Sequence, residues 1–148
     1  MLAACLILPA LSIPSFAADS FDGPTFRKGM WRFVRTLDLL VHAQGKHRVL
    51  QQESIRCVDP TESMRGTFSS APVGTCVSAK PEKHSNRYVF AKRCDYLGPV
   101  STVITVDSDE AYSELNQVIE GAVPKADFVT AQRIGDCPAD GAREVLSQ

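Results

Sequence analysis

The chain has 148 residues, of which 44% are hydrophobic and 22% are charged, and its formal net charge is −1. That length fits one domain with a modest core, and the near-neutral charge argues against binding to nucleic acid or another polyanion. No repeat, low-complexity tract or long linker divides the sequence, so we expect a single folded unit.

The N-terminal residues have the pattern of a cleavable export signal. Residues 2–18 carry no charge, and Ser15-Phe16-Ala17 has the small-x-small pattern that a signal peptidase cleaves. Pro9 and Pro14 interrupt the apolar run, which is too short to cross a bilayer as a helix. The basic residues that usually precede such a run are missing. We expect cleavage after Ala17 and no transmembrane segment in the mature chain.

This cleavage divides the chain into three regions. We predict a signal peptide at 1–17, a flexible N-terminal segment at 18–25 and a single disulfide-stapled domain at 26–148, located in the periplasm or secreted. The alternative is a lipoprotein box at Leu2-Ala3-Ala4-Cys5, which would anchor the protein through a lipid on Cys5. No apolar segment precedes that box, so the preferred interpretation is that Cys5 is an apolar residue of a removed leader.

The first half of the mature chain predicts two long strands. Residues 30–42 alternate between apolar and polar positions, with Arg35 as the exception, and a turn at 43–46 leads to a second strand at 47–58. Residues 60–68 fit one helical turn or a loop, and residues 69–74 fit a loop. The apolar residues expected on one face of the first strand are Trp31, Phe33, Leu37, Leu39 and Val41.

Four cysteines remain after the leader, and an even number in an exported chain predicts two disulfides. Cys76 and Cys94 lie symmetrically about Ser85, with strands expected at 77–80 and 87–93 around a polar turn at 81–86. Folding the segment at this turn brings the two cysteines opposite each other, at bonding distance. We therefore predict the pair Cys76–Cys94, which leaves Cys57 to pair with Cys137.

The second half of the chain contains further short strands. The β-branched run 100–106 predicts a strand, and 107–109 a turn. Residues 111–119 are ambiguous, because Ala111 and Leu115 begin a helical spacing that slightly favours a helix. Residues 121–125 are expected to interrupt the regular structure. A last strand is predicted at 127–134, and a tail at 138–148 with a short helix at 142–146.

These landmarks resemble a family of exported bacterial proteins known as domain of unknown function 3617. The resemblance covers residues 26–137 and rests on four features: the opening Lys28-Gly29-Met30-Trp31, the strand end Ile55-Arg56-Cys57, the cysteine-flanked hairpin and the closing Ile134-Gly135-Asp136-Cys137. The chain lacks the Met-, Pro- and Gly-rich linkers and the Thr-rich late strands usual in the family. The resemblance implies a β-hairpin over 100–119, which favours a strand at 111–119, and it implies no catalytic residues.

Together these patterns predict a mainly β fold, with a single antiparallel curved sheet or meander of about seven strands, one or two short helices and two disulfides. No Cys-x-x-Cys pair, nucleophile motif or phosphate-binding glycine loop is present, so we predict no cofactor and no metal site. His42, His47 and His84 lack companion ligands, and we interpret them as polar hairpin ends. Asp107, Asp109 and Glu110 are too few for a calcium loop and fit a solvated turn. Trp31, Phe33 and Phe26 fit core anchors better than the walls of a pocket.

Two functional hypotheses remain. The first is a non-enzymatic envelope domain that binds an apolar ligand or a protein partner on its sheet. The second is a hydrolase-like or metal-dependent activity assembled from dispersed residues such as His42, His47 and Asp136.

The charges of the mature chain are unevenly distributed. Residues 76–94 are basic and residues 107–120 acidic, which fits two solvated hairpins that face one another.

Overall fold

The computed structural model describes residues 21–41, 45–95, 98–118, 125–139 and 145–147. The predicted signal peptide at 1–17 and the alternative lipidation site at Cys5 lie outside these residues. So do residues 121–124 of the interruption predicted at 121–125.

The described residues form one antiparallel sheet and one short helix. The strand order in the sheet is β3-β4-β5-β6-β7-β1-β2-β8, and every pair of neighbours is antiparallel. This confirms the predicted single antiparallel sheet, with two disulfides and one short helix. Two of the eight strands have only three residues. The elements are β1 Gly29–Val41, β2 Gly45–Val58, α1 Pro60–Thr67, β3 Glu82–His84, β4 Arg87–Asp95, β5 Gly98–Ser108, β6 Ala111–Val118, β7 Lys125–Gly135 and β8 Val145–Ser147.

The order of the strands joins the two ends of the domain. Strands β3 to β7 form a meander in chain order, and β7 then pairs with β1, so that Arg35 lies opposite Val129. The hairpin of β1 and β2 thus lies beside the last long strand. A disulfide between Cys57 and Cys137 can stabilise this pairing, because it links two segments that are far apart in the sequence.

Four local predictions need correction or completion. Residues 111–119 form a strand, β6, as the family resemblance implied and against the local helical spacing. The helix predicted at 142–146 is wrong where the structure describes it, because 145–147 pair with β2 as a strand. Residues 77–80 are not a strand; instead β3 lies inside the predicted turn 81–86. The β5–β6 turn is at 109–110 rather than at 107–109.

Helix α1 begins and is positioned through specific capping contacts. The carboxylate of Asp59 accepts a hydrogen bond from the Thr61 backbone N–H at 3.0 Å, and Pro60 occupies the first turn, where its missing N–H costs nothing. The Thr61 hydroxyl accepts from the backbone N–H of Phe26 at 2.9 Å and donates to its carbonyl oxygen. The helix therefore holds the N-terminal segment against the sheet.

One face of the sheet, here called the inner face, packs against α1 and carries the core. Alternate residues of each strand point to this face, because the side-chain period of a strand is two. Aromatic side chains and Met64 of α1 fill one part of it, which we call the aromatic cluster. Its members are Phe26, Trp31, Phe33, Met64, Phe68, Tyr88, Phe90 and Tyr112.

The other part of the inner face is a polar cluster. Arg35, the exception in the alternation of β1, forms a two-pronged ion pair with the buried carboxylate of Asp127, at 2.8 and 2.6 Å. Farther along the sheet, Arg93, Thr102, Asn116 and Glu114 hydrogen-bond to one another. The polar cluster comprises Arg35, Arg93, Thr102, Glu114, Asn116 and Asp127.

Both predicted disulfides are present. Cys57 bonds to Cys137 with their Cα atoms 5.4 Å apart, and Cys76 bonds to Cys94 with their Cα atoms 5.9 Å apart. The hairpin centre differs slightly from the predicted one at Ser85, because His84 pairs with Arg87 and the turn is formed by residues 85 and 86. The bridge forms despite this shift of register, since segment 77–80 is not constrained by a full ladder.

Candidate ligand-binding site

A cavity of about 480 Å³ opens between the end of α1, the N-terminal segment and strand β4. Its volume falls within the range of roughly 300–1,000 Å³ that is typical of small-molecule sites. We call it the aromatic cavity, because rings contribute its largest side chains. Its lining residues are Phe21, Asp22, Phe68, Ser69, Ser70, Ser78, Ala79, Lys80, Pro81, Lys83, Tyr88 and Phe90.

Edge-to-face contacts around Phe68 fix the positions of the rings. The Phe68 ring centroid lies 5.0 Å from that of Phe90, 5.2 Å from that of Tyr88 and 5.8 Å from that of Phe21, with interplanar angles between 76° and 82°. Tyr88 and Phe90 are buried on β4. Aromatic pairs prefer this geometry, so the four rings form a continuous apolar wall.

Phe21 and Phe68 reach the cavity because α1 anchors both. The Phe68 backbone N–H donates to the Met64 carbonyl oxygen at 2.8 Å and ends the helix. The Thr61 contacts with Phe26 fix the N-terminal segment that leads back to Phe21. The guanidinium of Arg65 lies over the Phe21 ring, 4.9 Å from its centroid. Two sides of the cavity therefore depend on one short helix.

Segment 78–81 forms the opposite side and is held along β4. The Ala79 backbone N–H donates to the Lys92 carbonyl oxygen at 2.8 Å, and the Cys94 backbone N–H donates to the Ser78 hydroxyl at 3.0 Å. The Cys76–Cys94 disulfide adds a covalent link at the same place. This disulfide thus shapes the cavity as well as stabilising the fold.

Charged groups are placed at the exposed edge of the cavity. Lys80, Lys83 and Asp22 line it and are exposed, and three serines also belong to the lining. The Lys83 ammonium lies 5.3 Å from the centroid of the Tyr88 ring, within cation–π distance. Six of the twelve described lining residues are polar or charged and six are apolar, so the cavity combines an aromatic part with a polar part.

The aromatic residues singled out in the sequence are found in the core instead. Trp31 is fully buried, and its indole N–H donates to the Arg27 carbonyl oxygen at 3.0 Å. Phe26 packs edge-on against Trp31, and Phe33 stacks beside it. None of these three lines the aromatic cavity, so the prediction that they are core anchors is confirmed.

The histidines and Asp136 do not come together in the described residues. His42 lies outside those residues, His84 contacts Glu82 at 3.2 Å, and His47 lies near the start of β2. Asp136 adjoins Cys137, which bonds to Cys57 at the far end of β2. Ten residues of extended strand separate His47 from Cys57, which places His47 roughly 30 Å from the end of β2 where Asp136 lies. His47 and Asp136 therefore cannot act on one substrate.

The acidic residues Asp107, Asp109 and Glu110 also do not form a metal site, because arginines bind one of them. Glu110 accepts hydrogen bonds from Arg27 at 2.5 Å and Arg133 at 3.3 Å, while Asp107 and Asp109 are exposed. Among the described residues, no group of three or more His, Cys, Asp or Glu side chains is placed to hold a metal ion. No helix among them is long and apolar enough to span a bilayer.

The residues of the aromatic cavity were not predicted as a group. Phe21 falls within the predicted flexible segment and Phe68 at the end of the predicted helical turn, whereas Tyr88 and Phe90 alternate on a predicted strand. The one sequence signal was that Tyr88 and Phe90 share a strand face. No family model matches the chain, and no match was found among curated proteins or among solved structures.

Proposed function

We propose that this protein is an exported, non-enzymatic binding domain whose ligand is an apolar small molecule held in the aromatic cavity. The observation that carries the proposal is the group of four edge-to-face rings that lines one part of a cavity of about 480 Å³. Closed cores seldom leave such a volume between large rings, because interiors pack densely. A ligand that covered the apolar surface still exposed in the cavity would gain about 25 cal/mol per Å² of that surface.

The two disulfides support the exported part of the proposal, because they are compatible with an oxidising compartment. The uncharged leader ending in Ser15-Phe16-Ala17 also supports export, because it has the pattern of a cleavable signal peptide. The resemblance to the domain of unknown function 3617 family fits the same location, and with it we propose that the mature protein acts in the periplasm or outside the cell.

The experiment is binding of a neutral apolar dye, N-phenyl-1-naphthylamine, followed by its fluorescence. Ala79 lines the cavity with an exposed side chain, so Ala79→Trp fills the cavity without removing a core residue. Ala91 is exposed on the neighbouring β4 and lies outside the lining, so Ala91→Trp adds the same ring elsewhere. We expect saturable binding by the wild type and by Ala91→Trp, and at least a tenfold loss in Ala79→Trp.

Equal binding by the two tryptophan variants would place the dye outside the aromatic cavity. The outer face of the sheet offers such a site, because Val89, Val103, Leu115 and Phe128 are paired in a row across four strands. Equal binding, or no binding by the wild type, would refute the proposed function.

A further inference from the structure

We propose that the ligand of the aromatic cavity is a single-chain amphiphile with an anionic headgroup, and that Lys80 and Lys83 bind this headgroup. This inference rests on the proposed function and adds the chemical class of the ligand. The cavity has two parts that match such a molecule: the four-ring wall for an apolar tail, and two ammonium groups at the exposed edge.

The pleat of β3 separates Lys83 from the acidic residue beside it. Lys83 is paired with Tyr88 and points to the inner face, whereas Glu82 and His84 are paired with outer-face residues of β4. Glu82 contacts His84 at 3.2 Å, on the side away from the cavity. The carboxylate nearest in sequence is therefore directed away from the Lys83 ammonium.

Among the described residues, neither lysine has a carboxylate as a partner: no Asp or Glu oxygen lies within 4 Å of the ammonium of Lys80 or Lys83. The Tyr88 ring instead holds the Lys83 ammonium, 5.3 Å from its centroid. An ammonium placed over a ring keeps its charge available to an anion in front of it. Among the described lining residues Asp22 is the one acid, so the two lysines leave a net positive edge.

Lys83 also lies at the junction of two cavities. A second cavity of about 310 Å³ lies on the other side of Lys83 and Tyr88, lined by residues of the N-terminal segment and of the hairpin turn. A headgroup bound to Lys83 would thus lie between the two, with its tail against the rings of the aromatic cavity. The size of the aromatic cavity suits one chain, since sites in this range hold one drug-sized molecule.

The test compares dodecanoate with dodecanol by isothermal titration calorimetry at pH 8, where the carboxylate is ionised. The two ligands share a tail and differ in the headgroup. We expect the wild type to bind dodecanoate at least tenfold more tightly than dodecanol. In the double variant Lys80→Gln with Lys83→Gln, we expect this preference to fall below threefold while the dodecanol affinity stays unchanged.

Lys125→Gln is the matched control, because Lys125 is exposed at the start of β7 and outside the lining of the cavity. It removes one positive charge and should leave the preference intact. Protein mixed with phosphatidylglycerol vesicles should remain in the supernatant after sedimentation. Sedimentation with the vesicles would overturn the assignment to a free single-chain ligand.

The outcomes separate this inference from the proposed function. Equal affinity of the wild type for the two ligands, or a preference that persists in the double variant, would refute the headgroup assignment and leave apolar binding in place. If neither ligand bound, both proposals would fail.

Discussion

Trp31 and Thr102 are both fully buried on the inner face, yet they belong to surroundings of opposite kinds. Trp31 is packed among rings of the aromatic cluster, and its contacts with them are apolar ring contacts rather than hydrogen bonds. Thr102 lies in the polar cluster, where its hydroxyl donates to Asn116 Oδ1 at 2.6 Å and accepts from Arg93 Nε at 2.9 Å. Each group there has a required direction and partner.

This difference explains where a ligand can bind. Hydrogen bonds and ion pairs occupy the donors and acceptors of the polar cluster, and no buried side-chain polar atom of the described residues lacks a partner. The aromatic cluster has no such requirement. Where its rings lie beside residues 68–70, at the end of α1, packing leaves the open space of the aromatic cavity. The part of the inner face that is least specified by hydrogen bonds is thus the part available to a ligand.

The two disulfides lie in different regions of the domain, and removing them should give the largest effects. Cys57 lies opposite Met30, next to Trp31, whereas Cys94 follows Arg93 of the polar cluster. Loop lengths of 80 and 18 residues give stabilisations of about 4.5 and about 3 kcal/mol on the loop-entropy model. We expect the double alanine variant at 57 and 137 to lose more free energy of unfolding in urea than the variant at 76 and 94.

Dye binding should be weakened more in the variant at 76 and 94 than in the variant at 57 and 137, the reverse of the order expected for stability. The bond between Cys76 and Cys94 holds segment 78–81 against β4, so its removal should weaken N-phenyl-1-naphthylamine binding. Neither Cys57 nor Cys137 lines the cavity, so the folded variant without their bond should bind as the wild type does. A greater loss of stability at 76 and 94, or a loss of dye affinity at 57 and 137 alone, would contradict this division.

Thr102→Val tests the polar cluster directly. Valine has the shape of threonine but leaves the Asn116 oxygen without the hydroxyl donor, which should cost about 1–3 kcal/mol of unfolding free energy. Thr130→Val is the control, because Thr130 is exposed on the outer face, and its effect should stay within about 0.5 kcal/mol. Equal stability of the two variants would show that the Thr102 hydroxyl does not contribute to the cluster.

Tyr112 connects the two clusters and should produce a smaller effect that depends on pH. Burial raises the pKa of its phenol, and the negative charge of Glu114 raises that pKa further. The raised pKa gives no stability change below pH about 10, where the phenol is neutral in both states. Above that pH the unfolded chain loses its proton first, so unfolding becomes more favourable.

At pH 11 the loss attributable to Tyr112 should be about 1.4 kcal/mol relative to pH 9. Tyr112→Phe should remove that part of the decline in urea denaturation curves. The same decline in the wild type and the variant would show that the phenol ionises equally in both states.

The sequence predicted the sheet and the disulfides because their signals are local or symmetric. Alternation in β1 located the inner face, and the spacing of Cys76 and Cys94 about one turn indicated their bond. The exception at Arg35 could not be interpreted from β1 alone, because its partner Asp127 lies 92 residues later. Periodicity also favoured a helix at β6, where pairing with strands on both sides decides the structure.

Contacts between distant segments account for the rest. Gly29 of the opening motif and Gly135 of the closing motif meet in the structure, and a Cβ on Gly29 would collide with the Gly135 carbonyl oxygen. The aromatic cavity likewise combines Phe21, Phe68 and two residues of β4, which no single pattern links. The candidate site could therefore not be predicted, although the strand that carries half of its rings was.

The most direct test of the account is the position of a bound apolar chain. Nuclear Overhauser effects between the methylene protons of dodecanoate and the protein should identify the rings of Phe21, Phe68, Tyr88 and Phe90. We expect this result, which would place the tail within the aromatic cavity. Contacts confined to the outer-face row that includes Phe128, which is 40% exposed, would contradict it.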